Sequence, residues 1–203
     1  MLPKRISTSR TMIRVTTPDD LKQIHNWLSY PVPFTEYNMK NPLGKEKDGK
    51  YWWEQIETQD RVHYSVLLLE TKEVIGIHAF ISIDWNKHII NNMGIRFRPD
   101  LCDKGFCTET LSTLLKSILA SGIKSIKLDV SAINPRAVNC YKKCGMSIIS
   151  DAWYKHYGDP IDLKNPIWAV HLQHLKQEKD FWLRRHYIME ITKKSISSHQ
   201  NKN

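Results

Sequence analysis

Residues 98–111 read RPDLCDKGFCTETL, with one glycine between two cysteines just ahead of an amphipathic stretch. A chain that turns on glycine and enters a helix aims several backbone N–H groups at one spot. The helix N-terminus adds a partial charge of about +0.5, so such a turn can hold an anion. Gly105 permits positive φ and close approach, while Lys104 and Thr108 would add a cation and a hydroxyl. Two other readings fit the same residues. One is an ordinary strand-to-helix turn. The other is half of a zinc site, since Cys102, Cys107, Cys140 and Cys144 offer four thiolates. Their spacings lack the tight C-x2-C knuckle, and the first pair occupies the same turn, which favours free cysteines packed as small hydrophobes.

A second segment adds weight to the first. Residues 126–146 read IKLDVSAINPRAVNCYKKCGM. Asn134 before Pro135 is an N-cap with proline at the first helical position. Tyr141 follows seven residues later, where it serves either as a core aromatic or as a site residue. Asp129 sits between Leu128 and Val130 in a strand, so it must face solvent or be paired. Residues 31–53 collect Phe34, Glu36, Tyr37, Tyr51, Trp52 and Trp53. These could hold a cation by cation–π contact and charge, or form a small aromatic cluster of their own.

The elements that must position these groups follow from periodicity. Thr11–Val15 reads as a strand, and an amphipathic helix spans about 19–29 on Leu21, Ile24 and Leu28. Prolines and glycines make 31–50 mostly loop, before a short helix YWWEQIE. Residues 62–70, 74–84 and 88–98 read as three strands. A helix from Phe106 to Ser121 buries Leu111, Leu114, Leu115, Ile118 and Leu119, with Gly122 as its C′ residue. A strand at 126–130, the capped helix to Cys144, a strand at 146–149 and a last strand at 185–192 complete the order. An aromatic-rich insertion at 153–183 is open to two uses, cover for a substrate pocket or a homodimer contact. The pattern predicts one α/β (α+β) domain over 11–192 with a central, twisted, mixed sheet flanked by helices, between basic flexible tails at 1–10 and 193–203.

The loop and the capped helix together resemble motifs A and B of the GCN5-related N-acetyltransferase (GNAT) superfamily. The nearest flavour is that of ribosomal-protein N-terminal and polyamine acetyltransferases. The resemblance spans about 11–152 in element order and is sharpest over 94–146. It implies a mostly antiparallel GNAT sheet and acetyl-CoA as co-substrate. The family loop, R/Q-x-x-G-x-G/A, holds the pyrophosphate; here it runs Cys102, Asp103, Lys104, Gly105, Phe106, Cys107 and on to Thr108. Gly105 matches, whereas Cys102 replaces Arg or Gln and Cys107 replaces Gly or Ala. Backbone amides are the chief ligands, so the loss at 102 is one side-chain donor, worth about 0.5–1.5 kcal/mol. Phe97 and Arg98, ending the strand before the loop, fall where the family bonds the pantetheine arm. Asn134 matches the asparagine near that arm, Ala137 the small residue of close approach and Tyr141 the tyrosine beside the sulfur. Asp129 falls where some members carry a glutamate base, one methylene longer. Glu36 and Tyr37 lie in the segment that shapes the acceptor pocket, and Asp84 is a competing base. Glu109, in the first helical turn, complements the dipole and is structural.

The chemistry implied is acetyl transfer to a primary amine, on a small molecule or a protein N-terminus. An alkyl ammonium with pKa about 10.4 is roughly one part in a thousand free base at neutral pH, so a carboxylate must take its proton. A fixed N–H from the strand end at 94–98 would stabilise the oxyanion. Tyr141 would protonate or hydrogen-bond the leaving thiolate. The competing expectation is a non-catalytic acyl-CoA sensor that keeps the cleft.

The net charge of +9 invites a nucleic-acid partner. Lys4, Arg5, Arg10, Lys193, Lys194 and Lys202 carry most of it; without them 24 basic residues face 21 acidic ones, too even for a binding face. No run reaches the roughly 18 apolar residues of a membrane span, and MLPKRISTSR has no apolar core. The expectation is a cytoplasmic enzyme without membrane or metal.

Overall fold

The computed structural model describes residues 1–38 and 58–195. The YWWEQIE helix, with Tyr51, Trp52 and Trp53, and the chain end beyond 195 lie outside the described residues.

Strands β1 (Arg5–Ser7) and β2 (Thr11–Val15) open the fold, followed by helix α1 (Pro18–His25). Leu21 and Ile24 are the buried face of α1, packed on Leu67, Val74 and Ile77. The helix stops at Asn26, short of Leu28, which is exposed. Strands β3 (Val62–Leu68), β4 (Val74–Asp84) and β5 (Ile89–Phe97) form an antiparallel meander. Helix α2 (Phe106–Ala120) buries the five predicted leucine and isoleucine positions at i, i+3, i+4 spacing. Strand β6 (Ser125–Ser131), helix α3 (Pro135–Lys143), strand β7 (Ser147–Lys155), the four-residue helix α4 (Pro166–Ala169), strand β8 (Leu175–Glu178) and strand β9 (Phe181–Thr192) follow.

The sheet order is β1-β2-β3-β4-β5-β6-β9-β7, with β8 on β9. Every pairing is antiparallel except β5 with β6. The predicted mixed, mostly antiparallel sheet with flanking helices is what forms.

The one parallel pairing creates the site. β5 and β6 pair only at Ile89–Ser125 and Ile90–Ile126, then diverge. Beyond that point the facing backbone groups of β5 have no strand partner among the described residues, and a cleft opens between the two.

Two expectations are corrected. Residues 1–10 are not a loose tail: Arg5–Ser7 is an edge strand on β2. Thr8, Ser9 and Arg10 then hydrogen-bond Glu109, and the Arg10 Nε to Glu109 Oε2 distance is 2.7 Å. Their polarity hid a strand ordered by a long-range ion pair. The second concerns the bounds of the 153–183 insertion: β7 runs on to Lys155 and β9 begins at Phe181, and Trp168 and Leu175 from the insertion make a small core with Ile133.

Candidate active site at the splayed strands

The cleft has a volume of about 730 Å3 and is walled by β5, β6, α3 and the turn before α2. Alternation along β5 decides what faces it. Arg98 N–H bonds back to Ile75 of β4 at 2.8 Å, whereas Phe97 N–H and C=O meet the Tyr30 hydroxyl instead. Phe97 therefore presents its backbone away from β4, and by the two-residue period so do Ile95 and Met93. A Cβ built on Gly94 would meet nothing within 4 Å, so the strand face there is open.

The turn before α2 is set by two residues with left-handed backbone, Asp103 at φ 62° and Gly105 at φ 83°. Gly105 is the N-cap of α2. The first intrahelical bond runs from Glu109 N–H to Gly105 C=O at 3.1 Å, so the amides of 106–108 have no partner within the helix. Cys102, Asp103, Gly105, Phe106, Cys107 and Thr108 all border the cleft. Arg136, in the first turn of α3, also borders it and reaches Asp103 at 3.5 Å. Converging free amides, a glycine without a side chain and a nearby guanidinium suit a phosphate group. Lys104 does not border the cleft, and its carbonyl accepts from Arg10 at 3.3 Å.

The cysteines join α2 to α3. The Cys107 and Cys140 sulfurs are 2.9 Å apart, and Thr108 Oγ1 lies 3.5 Å from Cys140 Sγ. All four cysteines are free thiols, and among the described residues no group of three His, Cys, Asp or Glu is arranged to hold a metal.

On α3, Asn134 Oδ1 accepts from Ala137 N–H at 3.1 Å, which caps the helix and aims Tyr141 inward. Tyr141 is 7% exposed and borders the cleft. Burial, reinforced by the neighbouring thiols, raises its pKa well above the ordinary value, so it stays a protonated donor. Tyr37 borders the same space, and burial pushes it up to about 12.

Across from α3, the β6–β9 pairing assembles a chain of side chains. Asp129 lies opposite Ile188, and His186 is its diagonal neighbour. His186 Nδ1 and Asp129 Oδ2 are 2.8 Å apart, and Arg184 Nε donates to His186 Nε2 at 3.2 Å. An arginine can only donate, so Nε2 accepts and the ring proton is on Nδ1, directed at Asp129. The His186 hydrogen bond holds the Asp129 carboxyl below its usual range, against its desolvation. The buried Arg184 guanidinium also forms a bidentate pair with Glu36, at 2.9 Å through Nη2. The insertion abuts this pair: a Cβ on Gly158 would lie 3.3 Å from Glu36 Oε2.

Of the residues expected from sequence, the cleft gathers Glu36, Tyr37, Phe97, Asp129, Asn134, Tyr141 and all of the loop except Lys104. Two others lie outside it. Asp84 closes the β4–β5 turn, accepting from Lys87 N–H at 2.9 Å, and does not border the cleft. Arg98 turns outward to Asp100 and Glu73, so only its backbone remains near the strand end. Sequence reasoning missed Tyr30, His63, Arg96, Arg136, Arg184 and His186, all cleft residues. Arg184 and His186 did carry a signal, since period two puts both on one face of the last strand.

A nine-stranded sheet splayed at one parallel pair, with an anion turn on one lip and a buried tyrosine beside it, is the acetyltransferase architecture. The family profile described as Acetyltransferase (GNAT) domain matches residues 10–147. The chain belongs to the GNAT acetyltransferase family and is an N-acetyltransferase.

Solved structures agree on the fold. A chimera of the spermidine N-acetyltransferase SpeG from Vibrio cholerae and hSSAT superposes with TM-score 0.67 at 18% identity, covering 93% of this chain and 99% of that one. The Vibrio cholerae spermidine N-acetyltransferase in complex with CoA and spermine gives 0.63 at 17%, over 92% and 98%. A GNAT-family acetyltransferase from Bacillus anthracis gives 0.65 at 15%, over 94% and 99%. At these identities the likeness is one of fold. No curated protein matches the chain.

Proposed function

We propose that the protein moves the acetyl group of acetyl-CoA to a primary amine by direct attack of the amine on the thioester. One observation carries this reading: the anion turn at 102–108, the Tyr141 phenol and the Asp129 carboxylate border a single cleft. A Vibrio cholerae protein of the same fold was solved in complex with CoA and spermine, which supports a CoA thioester as the donor.

Acetyl-CoA brings the activated acyl group; the chain does the rest. The amides of 106–108 and Arg136 hold the phosphates. The backbone of Met93, Ile95 and Phe97 offers donors and acceptors along the splayed edge, and the Ile95 N–H is the candidate oxyanion donor. Asp129, steadied by His186, accepts the amine proton directly or through a water. Tyr141, kept neutral by burial, gives its proton or a hydrogen bond to the departing thiolate.

Isothermal titration with acetyl-CoA tests the first half. No heat at millimolar ligand would end the proposal. Thiol release over a panel of amines tests the second. Binding without release from any amine would leave only a sensor of acyl-CoA.

A further inference from the structure

Among the described residues Arg96, acted on by the Tyr30 phenol, is the one cleft guanidinium with no hydrogen-bond or ion-pair partner. It stands on β5 opposite Ile77, on the sheet face covered by α1, whereas its neighbour Phe97 packs into the core beneath α2. Arg96 borders both the main cleft and a smaller adjoining cavity of about 120 Å3 shared with His25, Tyr30, Tyr37 and Asn38. It is half-buried, and desolvation lowers its pKa. The other cleft arginines are engaged elsewhere: Arg136 stands at the phosphate turn, 3.5 Å from Asp103, and Arg184 is paired with Glu36.

Two of the three cleft acids are in ion pairs, Glu36 with Arg184 and Asp103 with Arg136. The third, Asp129, keeps its charge beside the neutral His186 and is the base for the reacting amine. Among the described residues, a polyamine's further ammonium groups find no unpaired carboxylate in the cleft. An anionic group finds Arg96. A desolvated guanidinium without a counter-charge is costly, and a carboxylate answers it with a bidentate, charge-assisted pair.

Resting on the acetyl-transfer reading above, we infer that the acceptor is a primary amine that also bears a carboxylate, and that Arg96 binds that carboxylate. Two sources share this chemistry: a free amino acid, and a peptide N-terminus with Asp or Glu in its first two residues. Arg96 is then the residue that selects among amines, while Asp129 and Tyr141 act on whichever amine is seated.

The test is steady-state thiol release with saturating acetyl-CoA and three arms. The arms are free amino acids against their amides, C-terminally amidated peptides starting Ser-Glu against Ser-Gln, and spermidine. The inference expects kcat/KM about tenfold higher for a carboxylate-bearing amine than for its amide partner, the worth of one charge-assisted pair. The free-acid arm and the peptide arm identify the source. In Arg96→Gln the carboxylate preference should fall to near unity, with the loss appearing in KM. Arg96→Lys should restore part of it, which a merely structural role would not. Spermidine or the amides outrunning the carboxylates would overturn the inference, as would a carboxylate preference that survives Arg96→Gln. Absence of release from every amine would instead sink the acetyl-transfer reading and this inference with it.

Discussion

Arg184 donates its Nε–H to His186 Nε2 across 3.2 Å while its other two nitrogens hold Glu36. One buried arginine thus fixes both a histidine tautomer and a carboxylate. Through the histidine it orients Asp129, which lies on the neighbouring strand.

Breaking this arrangement at either end should cost more than breaking both. Glu36→Gln leaves a buried guanidinium uncompensated, and Arg184→Gln leaves a carboxylate so. Each should lower stability by about 3–5 kcal/mol. The double variant should recover a good part of that, because neither charge then remains. Urea melts of the four proteins measure the coupling. Additive losses would show that the pair is energetically idle.

Tyr141→Phe keeps the ring that fills the core and removes only the phenol. Its kcat should fall about 10^2-fold, the low end for a positioned proton donor, with acetyl-CoA affinity little changed. Unchanged turnover would take Tyr141 out of the reaction.

The pH profile has a defined shape. His186 holds Asp129 below the ordinary carboxyl range, so Asp129 is already ionised throughout pH 5–9 and contributes no limb there. Tyr141 is raised well above 10, so it contributes no alkaline limb below pH 10. What remains is the acceptor. Its free-base fraction grows tenfold per unit, so kcat/KM should climb with a slope of one and level at the acceptor's own pKa. An inflection near pH 6 that vanishes in Asp129→Asn would contradict the assignment.

Stability should fall in mild acid for a separate reason. His63 and His78 are buried, and desolvation lowers each to about 4. Between about 6.5 and 4 the unfolded chain binds two protons that the folded chain refuses, so acid favours unfolding. The folded state should lose up to about 2.7 kcal/mol per pH unit across that window and regain it on return to neutrality. Denaturant midpoints from pH 7 to 4.5 give the slope. His78→Gln should roughly halve it.

At Gly105 the constraint is conformational. With φ at 83°, a Cβ there would meet only Arg10 Nη2, at an ordinary 3.6 Å. Gly105→Ala should therefore cost about 1–2 kcal/mol from the left-handed backbone alone. It should also weaken acetyl-CoA binding, because relaxing that strain turns the amides of 106–108 off their target. Calorimetry on the variant reads both effects.

The sequence by itself determined the elements of local origin and the half of the site that they carry. Helix α2 is written in its leucine spacing, α3 in Asn134-Pro135, and the anion turn in a glycine placed before a helix. Each depends on neighbours within a few residues. Tyr141 and the loop could be read because both belong to such local units, and the resemblance tied them together. The tertiary structure decided the rest. β5 and β6 are separated by a whole helix, and only their pairing shows that two residue pairs hold before the strands part. Arg184 and His186 reach Asp129 from more than 50 positions away through a strand register that no local pattern encodes. Arg10 is tied to Glu109 by charge, across almost a hundred residues. Asp84 and Arg98 looked functional until their nearest partners were known, because whether a charged side chain is free or spent depends on what the fold brings beside it.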